Sequence, residues 1–264
     1  MAFANLSDGQ LFYRWDGPER APVIVFSHSL GTNHDMWAAQ IEAFSKDFRL
    51  LRYDTRGQGQ SSVTPGPYTI EKLGEDVLQL LDALKLDRVH FCGLSMGGQL
   101  GMYLGVNAGS RLNRLILCNT GAKIGTPDVW NARVTAVQQG GMKAVAGAVL
   151  ERWFTAGYRA SHTAEVAKVQ EMMESANPSG YVANCCAVRD MDFREKVHSV
   201  ETPTLVIAGE HDLSTPPADG RFIADRIQGA RYTELPTAHL SNIEARDAFN
   251  ATVLGFLKSH GAHG

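Results

Sequence analysis

Residues 93–97 (GLSMG) fit the pattern G-x-S-x-G and lie between an apolar strand-like run and a helical segment. A sharp strand-to-helix turn of this kind strains the backbone of its central residue and projects the Ser95 hydroxyl from the sheet. Glycines at both ends avoid a clash where the two arms of the turn approach each other. The pattern therefore predicts a serine nucleophile for acyl transfer. A glycine-rich turn with an incidental serine would fit the pentapeptide taken alone.

A nucleophilic serine needs a base that takes its proton and an acid that orients the base. After a turn of this type, the acid and then the histidine follow along the chain. Asp212 comes shortly after an apolar run at residues 204–208, and His239 follows another short strand-like segment. Both positions fall at carboxyl ends of predicted strands, so we predict a Ser95–Asp212–His239 triad. Glu210 is the rival acid, and the alternation of strand side chains favours Asp212.

The other histidines fit the role of general base less well. His90 lies within a predicted buried strand, whereas His34 and His162 are expected at the surface. Among the remaining histidines, His198 lies in a loop, and His260 and His263 lie near the C-terminus. His211 lies beside the acid, and His28 belongs to the loop considered next.

Acyl transfer creates a negative oxygen that preorganised backbone N–H groups stabilise. One donor is expected to be Met96, the residue after the nucleophile, at the positive end of a helix. The second is expected to be Leu30, in the loop of residues 27–31 (SHSLG). A simple strand-to-helix turn also describes this loop, and the two interpretations are compatible.

The segment of residues 53–61 (YDTRGQGQS) is rich in glycine, yet it does not match a nucleotide-binding motif. It lacks the Lys-Ser/Thr ending of a P-loop, and the chain contains no G-x-G-x-x-G. We interpret Asp54 and Arg56 as structural residues that hold this loop beside the oxyanion turn. No compact His/Asp/Glu cluster has the spacing of metal ligands, so we expect neither a metal nor a cofactor.

The elements that must position these residues alternate between short apolar runs and helical patterns, which predicts an α/β fold with a mostly parallel sheet. An N-terminal hairpin is expected around residues 7–9. The predicted strands are residues 11–15, 23–26, 50–53, 89–92, 115–118, 204–208 and 232–235, and the predicted helices are residues 36–44, 70–84, 99–106 and 243–259.

Between residues 122 and 199 the pattern changes to helices without a convincing strand. Four helices are predicted there, at residues 129–138, 142–153, 163–176 and 179–189. We therefore predict a core of residues 1–121 and 200–264, interrupted by a helical cap of residues 122–199.

The composition is that of a globular protein, with 44% hydrophobic and 20% charged residues among 264. A net charge of -3 gives no reason to expect nucleic-acid binding. The longest apolar stretch, residues 23–26, is far too short to cross a membrane, and no secretory signal is evident. We expect a cytoplasmic protein, and nothing in the sequence indicates its oligomeric state.

Taken together, these motifs resemble the α/β-hydrolase family over nearly the whole chain. A more specific similarity links the chain to the 3-oxoadipate enol-lactonases. It rests on residues 29–32 (SLGT) followed by Met36 and Trp37, on residues 150–155 (LERWFT), and on Gly180 and Tyr181 followed by residues 185–192 (CCAVRDMD). Ser29 departs from the pattern, since many relatives of the wider fold have glycine there.

The resemblance implies hydrolysis of a five-membered enol-lactone with a free acetate arm, giving 3-oxoadipate in the β-ketoadipate pathway of aromatic catabolism. Such an anionic substrate calls for a cation, and Arg133 is our candidate because its planar fork suits a carboxylate. Arg189 is the main rival. Trp130 and Trp153 are candidates for an apolar wall. A solvated arginine and tryptophans that only pack the cap onto the core would also fit.

Other functions share the same triad and differ in the cap. These are a carboxylesterase, a perhydrolase-like haloperoxidase and a carbon–carbon bond hydrolase. Haloalkane dehalogenases and epoxide hydrolases of this fold carry aspartate where this chain has Ser95, which argues against both. A non-catalytic receptor for a small ligand remains open, whereas a purely structural relative would be expected to lack a member of the triad.

Overall fold

The computed structural model describes residues 2–259, whose strands form one eight-stranded sheet in the order β1-β2-β4-β3-β5-β6-β7-β8. The strands are β1 (Ala2–Leu6), β2 (Gly9–Asp16), β3 (Val23–Ser27), β4 (Arg49–Tyr53), β5 (Val89–Leu94), β6 (Leu112–Cys118), β7 (Thr204–Gly209) and β8 (Arg231–Leu235). The β1–β2 hairpin is antiparallel and joins β4 in antiparallel fashion, while every other pair is parallel. The predicted mostly parallel sheet with an N-terminal hairpin is confirmed.

Eleven α-helices connect or flank these strands within the described part of the chain. They are α1 (Ile41–Phe44), α2 (Ile70–Ala83), α3 (Met96–Asn107), α4 (Pro127–Gly140), α5 (Lys143–Trp153), α6 (Ala156–Ser161), α7 (Thr163–Glu174), α8 (Pro178–Asp190), α9 (Pro217–Ala224), α10 (Ser241–Glu244) and α11 (Arg246–Lys258). The four helices predicted between residues 122 and 199 correspond to α4, α5, α7 and α8. The division into core and cap remains a prediction. No helix within residues 2–259 is long and apolar enough to span a membrane.

The central strands owe their position to their composition. Apolar residues dominate β3, β5, β6 and β7, and these strands are mostly buried, with partly exposed polar side chains only towards the amino ends of β5 and β6. Parallel strands covered by helices on both faces have this character, because neither face meets water. Their carboxyl ends bring the segments that follow β5 and β7 to one edge of the sheet, where the candidate site lies.

A close backbone contact attaches α8 to the loop after β4. A Cβ atom on Gly180 would lie 2.0 Å from the carbonyl oxygen of Gly57, which itself has a φ of +80°. The Asn184 side chain donates a hydrogen bond to the Arg56 carbonyl oxygen at 2.8 Å, next to this contact. Glycine is therefore required on both sides, which accounts for Gly180 in the segment that carries the enol-lactonase resemblance.

Two sequence-based expectations are wrong. His34 is buried rather than at the surface, because its ring Nδ1 and its backbone N–H both donate to Asp54 Oδ1, at 2.8 and 2.7 Å. The helix predicted for residues 243–259 is interrupted at Ala245, whose φ and ψ of -121° and 48° are not helical. His260 and His263 lie outside the described residues.

His90, in β5, supplies a test of how the fold responds to pH. Burial and the nearby charge of Arg114 lower the pKa of His90 from 6.5 to about 4. Below pH 6.5 the unfolded chain therefore binds more protons, and the free energy of unfolding falls as pH decreases towards 4. We expect the His90→Gln variant to take up roughly one proton fewer than the wild type on unfolding in this pH range. Its free energy of unfolding should therefore have a smaller slope against pH. Urea unfolding at several pH values measures this slope, and identical slopes for both proteins would contradict the prediction.

Candidate active site

Ser95 lies at a strained turn between β5 and α3. Its φ and ψ are 58° and -115°, a region that residues with a Cβ atom rarely adopt. The Ser95 N–H donates to the Cys118 carbonyl oxygen at 2.9 Å, and the Thr120 hydroxyl donates to the Ser95 carbonyl oxygen at 2.8 Å. A Cβ on Gly93 would lie 2.0 Å from the carbonyl oxygen of Gly97. The two glycines thus permit the tight turn that the sequence pattern predicts.

His239 and Asp212 form a buried, hydrogen-bonded pair. His239 Nδ1 donates to Asp212 Oδ2 at 2.8 Å, which leaves Nε2 of the neutral ring as an acceptor. The same Oδ2 accepts from the Thr215 hydroxyl at 2.8 Å and from Asn119 Nδ2 at 3.1 Å, while Oδ1 accepts from the Ser214 N–H at 2.8 Å. Burial alone would raise the pKa of Asp212, but its interaction with His239 and the hydrogen bonds from the Thr215 N–H and the Asn119 side chain hold it below its ordinary value.

The rival acid and its neighbouring histidine are placed differently. Glu210 and His211 are both exposed, and the backbone N–H of each bonds to the β8 segment and the loop after it. Asp212 rather than Glu210 therefore contacts His239. β7 ends at Gly209, and the Asp212 N–H bonds to the Gly209 carbonyl oxygen at 3.1 Å, so a turn after the strand, rather than side-chain alternation, separates Asp212 from Glu210.

Ser95 and His239 line one cavity of about 290 Å³, together with Trp130, Arg133 and Trp153. The Trp153 ring stacks on the His239 imidazole, with 5.9 Å between centroids and 28° between planes. The Trp130 indole N–H donates to the Ile124 carbonyl oxygen at 2.7 Å, which fixes its ring. These five residues, each of which the sequence suggested for the site, thus lie around one small space.

A second arginine, Arg152, also lines this cavity and was not predicted. Within residues 2–259 neither Arg133 nor Arg152 lies within ion-pair distance of a carboxylate. The Arg133 guanidinium lies 4.7 Å from the centre of the Trp130 ring, and Arg152 Nε is buried without a hydrogen-bond partner. Burial and the charge of Arg133 lower the pKa of Arg152. The cavity therefore presents two guanidinium groups that no carboxylate of the described residues neutralises.

Arg189, the alternative cation, lies elsewhere. Its Nε donates to Asp190 at 2.7 Å and its Nη1 donates to Asn131 at 2.8 Å. It borders a different groove, between α4 and α8, that does not include Ser95. The structure thus brings Arg133, and not Arg189, to the nucleophile.

Two backbone donors are available beside Ser95. Met96 is the first residue of α3, so its N–H has no partner within the helix. Leu30 lines the cavity, and its N–H bonds to no other residue in the described chain. The next N–H in the loop, that of Gly31, is occupied because it donates to the Gln58 side chain. Both predicted oxyanion donors are therefore free to bind an oxygen.

His28 shapes the oxyanion loop. Its Nδ1 donates to the Ser29 carbonyl oxygen at 2.9 Å, and its Nε2 accepts from the Thr55 N–H at 3.0 Å. These contacts suit a neutral imidazole, and burial lowers the pKa of His28 further. With both ring nitrogens occupied, His28 has no free atom for a proton from Ser95.

Among residues 2–259 there is also no group of three or more His, Cys, Asp or Glu side chains that could hold a metal ion.

The parallel sheet and the strained serine turn after β5 define the class of the protein, which is an α/β hydrolase. The family model described as "alpha/beta hydrolase fold" matches residues 22–143. The 3-oxoadipate enol-lactonase 1 of Acinetobacter baylyi is 41% identical, over 92% of this chain and 91% of that relative. The enol-lactonase structure from Burkholderia xenovorans LB400 is 48% identical, with a TM-score of 0.96 over 98% of this chain and all of that one. The chain belongs to the 3-oxoadipate enol-lactonase family, which confirms the predicted resemblance.

Proposed function

We propose that this protein opens 3-oxoadipate enol-lactone to 3-oxoadipate through an acyl-enzyme on Ser95. The observation that carries the proposal is the pair of unneutralised guanidinium groups, Arg133 and Arg152, in the cavity that holds Ser95 and His239. A neutral ester would have no use for two partly buried cations without a carboxylate partner, whereas a lactone with a free carboxylate would. Membership of the enol-lactonase family supports the same substrate class.

The arrangement of these residues supports the following acylation step. His239 Nε2 takes the proton of Ser95 as the serine Oγ attacks the lactone carbonyl carbon, and Asp212 holds the imidazole in the required tautomer. The N–H groups of Leu30 and Met96 stabilise the negative oxygen of the tetrahedral intermediate. The bond between this carbon and the ring oxygen then breaks, and the proton on His239 passes to the leaving enol oxygen.

Deacylation requires that water, and not the released enol, attacks the carbonyl carbon of the acyl-enzyme. The leaving group stays tethered to the acyl chain, and tautomerisation to the ketone removes its ability to close the ring again. His239 then deprotonates a water molecule that attacks the acyl-enzyme carbonyl. Collapse of that intermediate returns the proton to Ser95 and releases 3-oxoadipate.

The remaining cavity residues would bind the substrate. Arg133 and Arg152 would hold the carboxylate by charge-assisted hydrogen bonds. Trp130 and Trp153 would form the apolar wall against the lactone ring, with the Trp153 ring stacked on His239. A volume of about 290 Å³ suits a small substrate of this kind.

Direct turnover tests the proposed reaction. The purified protein should open freshly prepared 3-oxoadipate enol-lactone, which is followed as loss of the ultraviolet absorbance of the enol ester. A neutral aryl ester serves as the second substrate. Hydrolysis of the ester without hydrolysis of the lactone would reject the lactonase and leave a general esterase. Inertness towards both, with tight binding of an anionic ligand, would favour a receptor.

The two arginines should set the preference for an anionic substrate. We expect Arg133→Ala and Arg152→Ala each to raise KM for the lactone by roughly tenfold or more, since a hydrogen bond to a charged group is lost. KM for the neutral ester should change little. Arg189→Ala is the matched control, because Arg189 is an arginine of the same region that borders a different groove. Equal losses on both substrates would refute the role of Arg133 and Arg152.

A further inference from the structure

The Glu244 carboxylate joins two segments that are far apart in sequence. Its Oε2 accepts a hydrogen bond from the Ala238 N–H at 2.9 Å. Its Oε1 accepts from the Thr155 N–H at 3.2 Å and also from the Thr155 hydroxyl. Ala238 immediately precedes His239, and Thr155 follows Trp153 by two residues. We call this arrangement, formed by Glu244, Thr155 and Ala238, the Glu244 bridge.

Further contacts join the same two segments as the Glu244 bridge. The N–H groups of His239 and Leu240 both donate to the Trp153 carbonyl oxygen, each at 3.1 Å. The Trp153 ring stacks on the imidazole of His239. Arg152, which lines the cavity, is the preceding residue in the last turn of α5. The segment that carries the anion-binding side chain is thus attached directly to the loop that carries the histidine.

The Glu244 bridge lies at the break between α10 and α11. α10 ends at Glu244, and Ala245 leaves the helical conformation with a φ of -121°. One continuous helix over these residues would require a helical conformation at Ala245. The interrupted helix instead places the Glu244 carboxylate against the backbone beside His239.

We propose that Glu244 is a positioning residue, which acts through the backbone on either side of it. It holds the imidazole of His239 at a fixed distance from Ser95 and from the α5–α6 junction that bears Arg152 and Trp153. The proposal rests on the proposed role of His239 as general base, and it does not depend on which ester is the substrate. A neutral aryl ester therefore tests it independently of the lactone.

Glu244→Gln is the decisive variant. A carboxamide has one oxygen and one NH₂ group, so one of the two bridged segments would meet a donor instead of an acceptor. We expect kcat for the neutral ester to fall roughly tenfold, because small displacements of a catalytic group are costly, while KM stays nearly constant. The low-field proton resonance of His239 Nδ1–H should shift or broaden. Glu165→Gln is the matched control, because this exposed glutamate borders the same surface groove as Glu244.

Separate measurements distinguish positioning from simple stability. Activity is expressed per active site, titrated with an organophosphorus reagent, well below the melting temperature. A lower melting temperature with unchanged kcat and an unchanged His239 resonance would overturn the proposal. If Glu244→Gln does not fold, Thr155→Ala replaces it and should lower kcat, while Thr155→Ser, which keeps the hydroxyl donor, should retain most of it. Equal kcat for the alanine and serine variants would also overturn the proposal.

Discussion

Ser95→Ala should lower kcat for the lactone and for a neutral ester by roughly 10⁴-fold or more, the loss typical of a missing serine nucleophile. Without Oγ no acyl-enzyme forms, and His239 has no proton to take from residue 95. The assay compares initial rates of absorbance loss for the wild-type protein and the variant. A variant that keeps most of its turnover would remove Ser95 from the mechanism.

The Ser95→Ala variant should keep its fold, so a loss of turnover can be attributed to the missing hydroxyl group. Alanine has the same Cβ atom at the same φ of 58°, so the backbone strain of the turn is unchanged. The hydrogen bonds that define the turn use only the backbone of Ser95, through its N–H and its carbonyl oxygen. A similar melting temperature for both proteins therefore accompanies the expected loss of turnover.

Asp212→Asn should lower kcat by roughly 10³- to 10⁴-fold with little change in KM. An asparagine NH₂ group facing His239 would donate to Nδ1, which moves the ring proton to Nε2, where the base must be free. It would also meet the donors that converge on the carboxylate, among them Asn119 Nδ2 and the Thr215 hydroxyl. Kinetics over a range of pH measure the loss.

Glu210→Gln is the matched control for this experiment. It makes the same chemical change at the rival acid, whose side chain is exposed. Its kcat should remain close to that of the wild type. A larger loss for Glu210→Gln than for Asp212→Asn would show that the acid has been assigned to the wrong residue.

The sheet and the positions of Ser95, Asp212 and His239 at its edge were predictable because they follow from local patterns. Each buried strand is a short apolar run bounded by polar or glycine residues, and that signal survives without tertiary information. Ser95 carries a motif whose glycines have a steric cause. Asp212 and His239 lie in the short loops after β7 and β8, so the strand ends place them at one edge of the sheet.

The features of the fold and site that the sequence did not predict depend on contacts between residues distant in sequence. His34 is buried because Asp54, twenty residues later, accepts two hydrogen bonds from it. The interruption at Ala245 accompanies a carboxylate that bonds to Thr155 and Ala238, which no periodicity of the final helix encodes. Arg152 lies beside Trp153 in a helix whose apolar pattern gave no sign of which face meets the cavity. α6 is too short for its periodicity to be recognised.

Under the proposed function, the pair formed by Arg133 and Arg152 couples the stability of the protein to the binding of its anionic substrate. Two like charges facing one small cavity repel each other, and burial adds to the cost of keeping Arg152 charged. An anion that enters the cavity relieves both effects, so the folded state gains stability by mass action as the ligand concentration rises. Replacing either arginine with an apolar residue would stabilise the ligand-free folded protein, but it would remove the preference for an anionic over a neutral substrate. Selection for robustness and selection for specificity therefore act in opposite directions at these two positions.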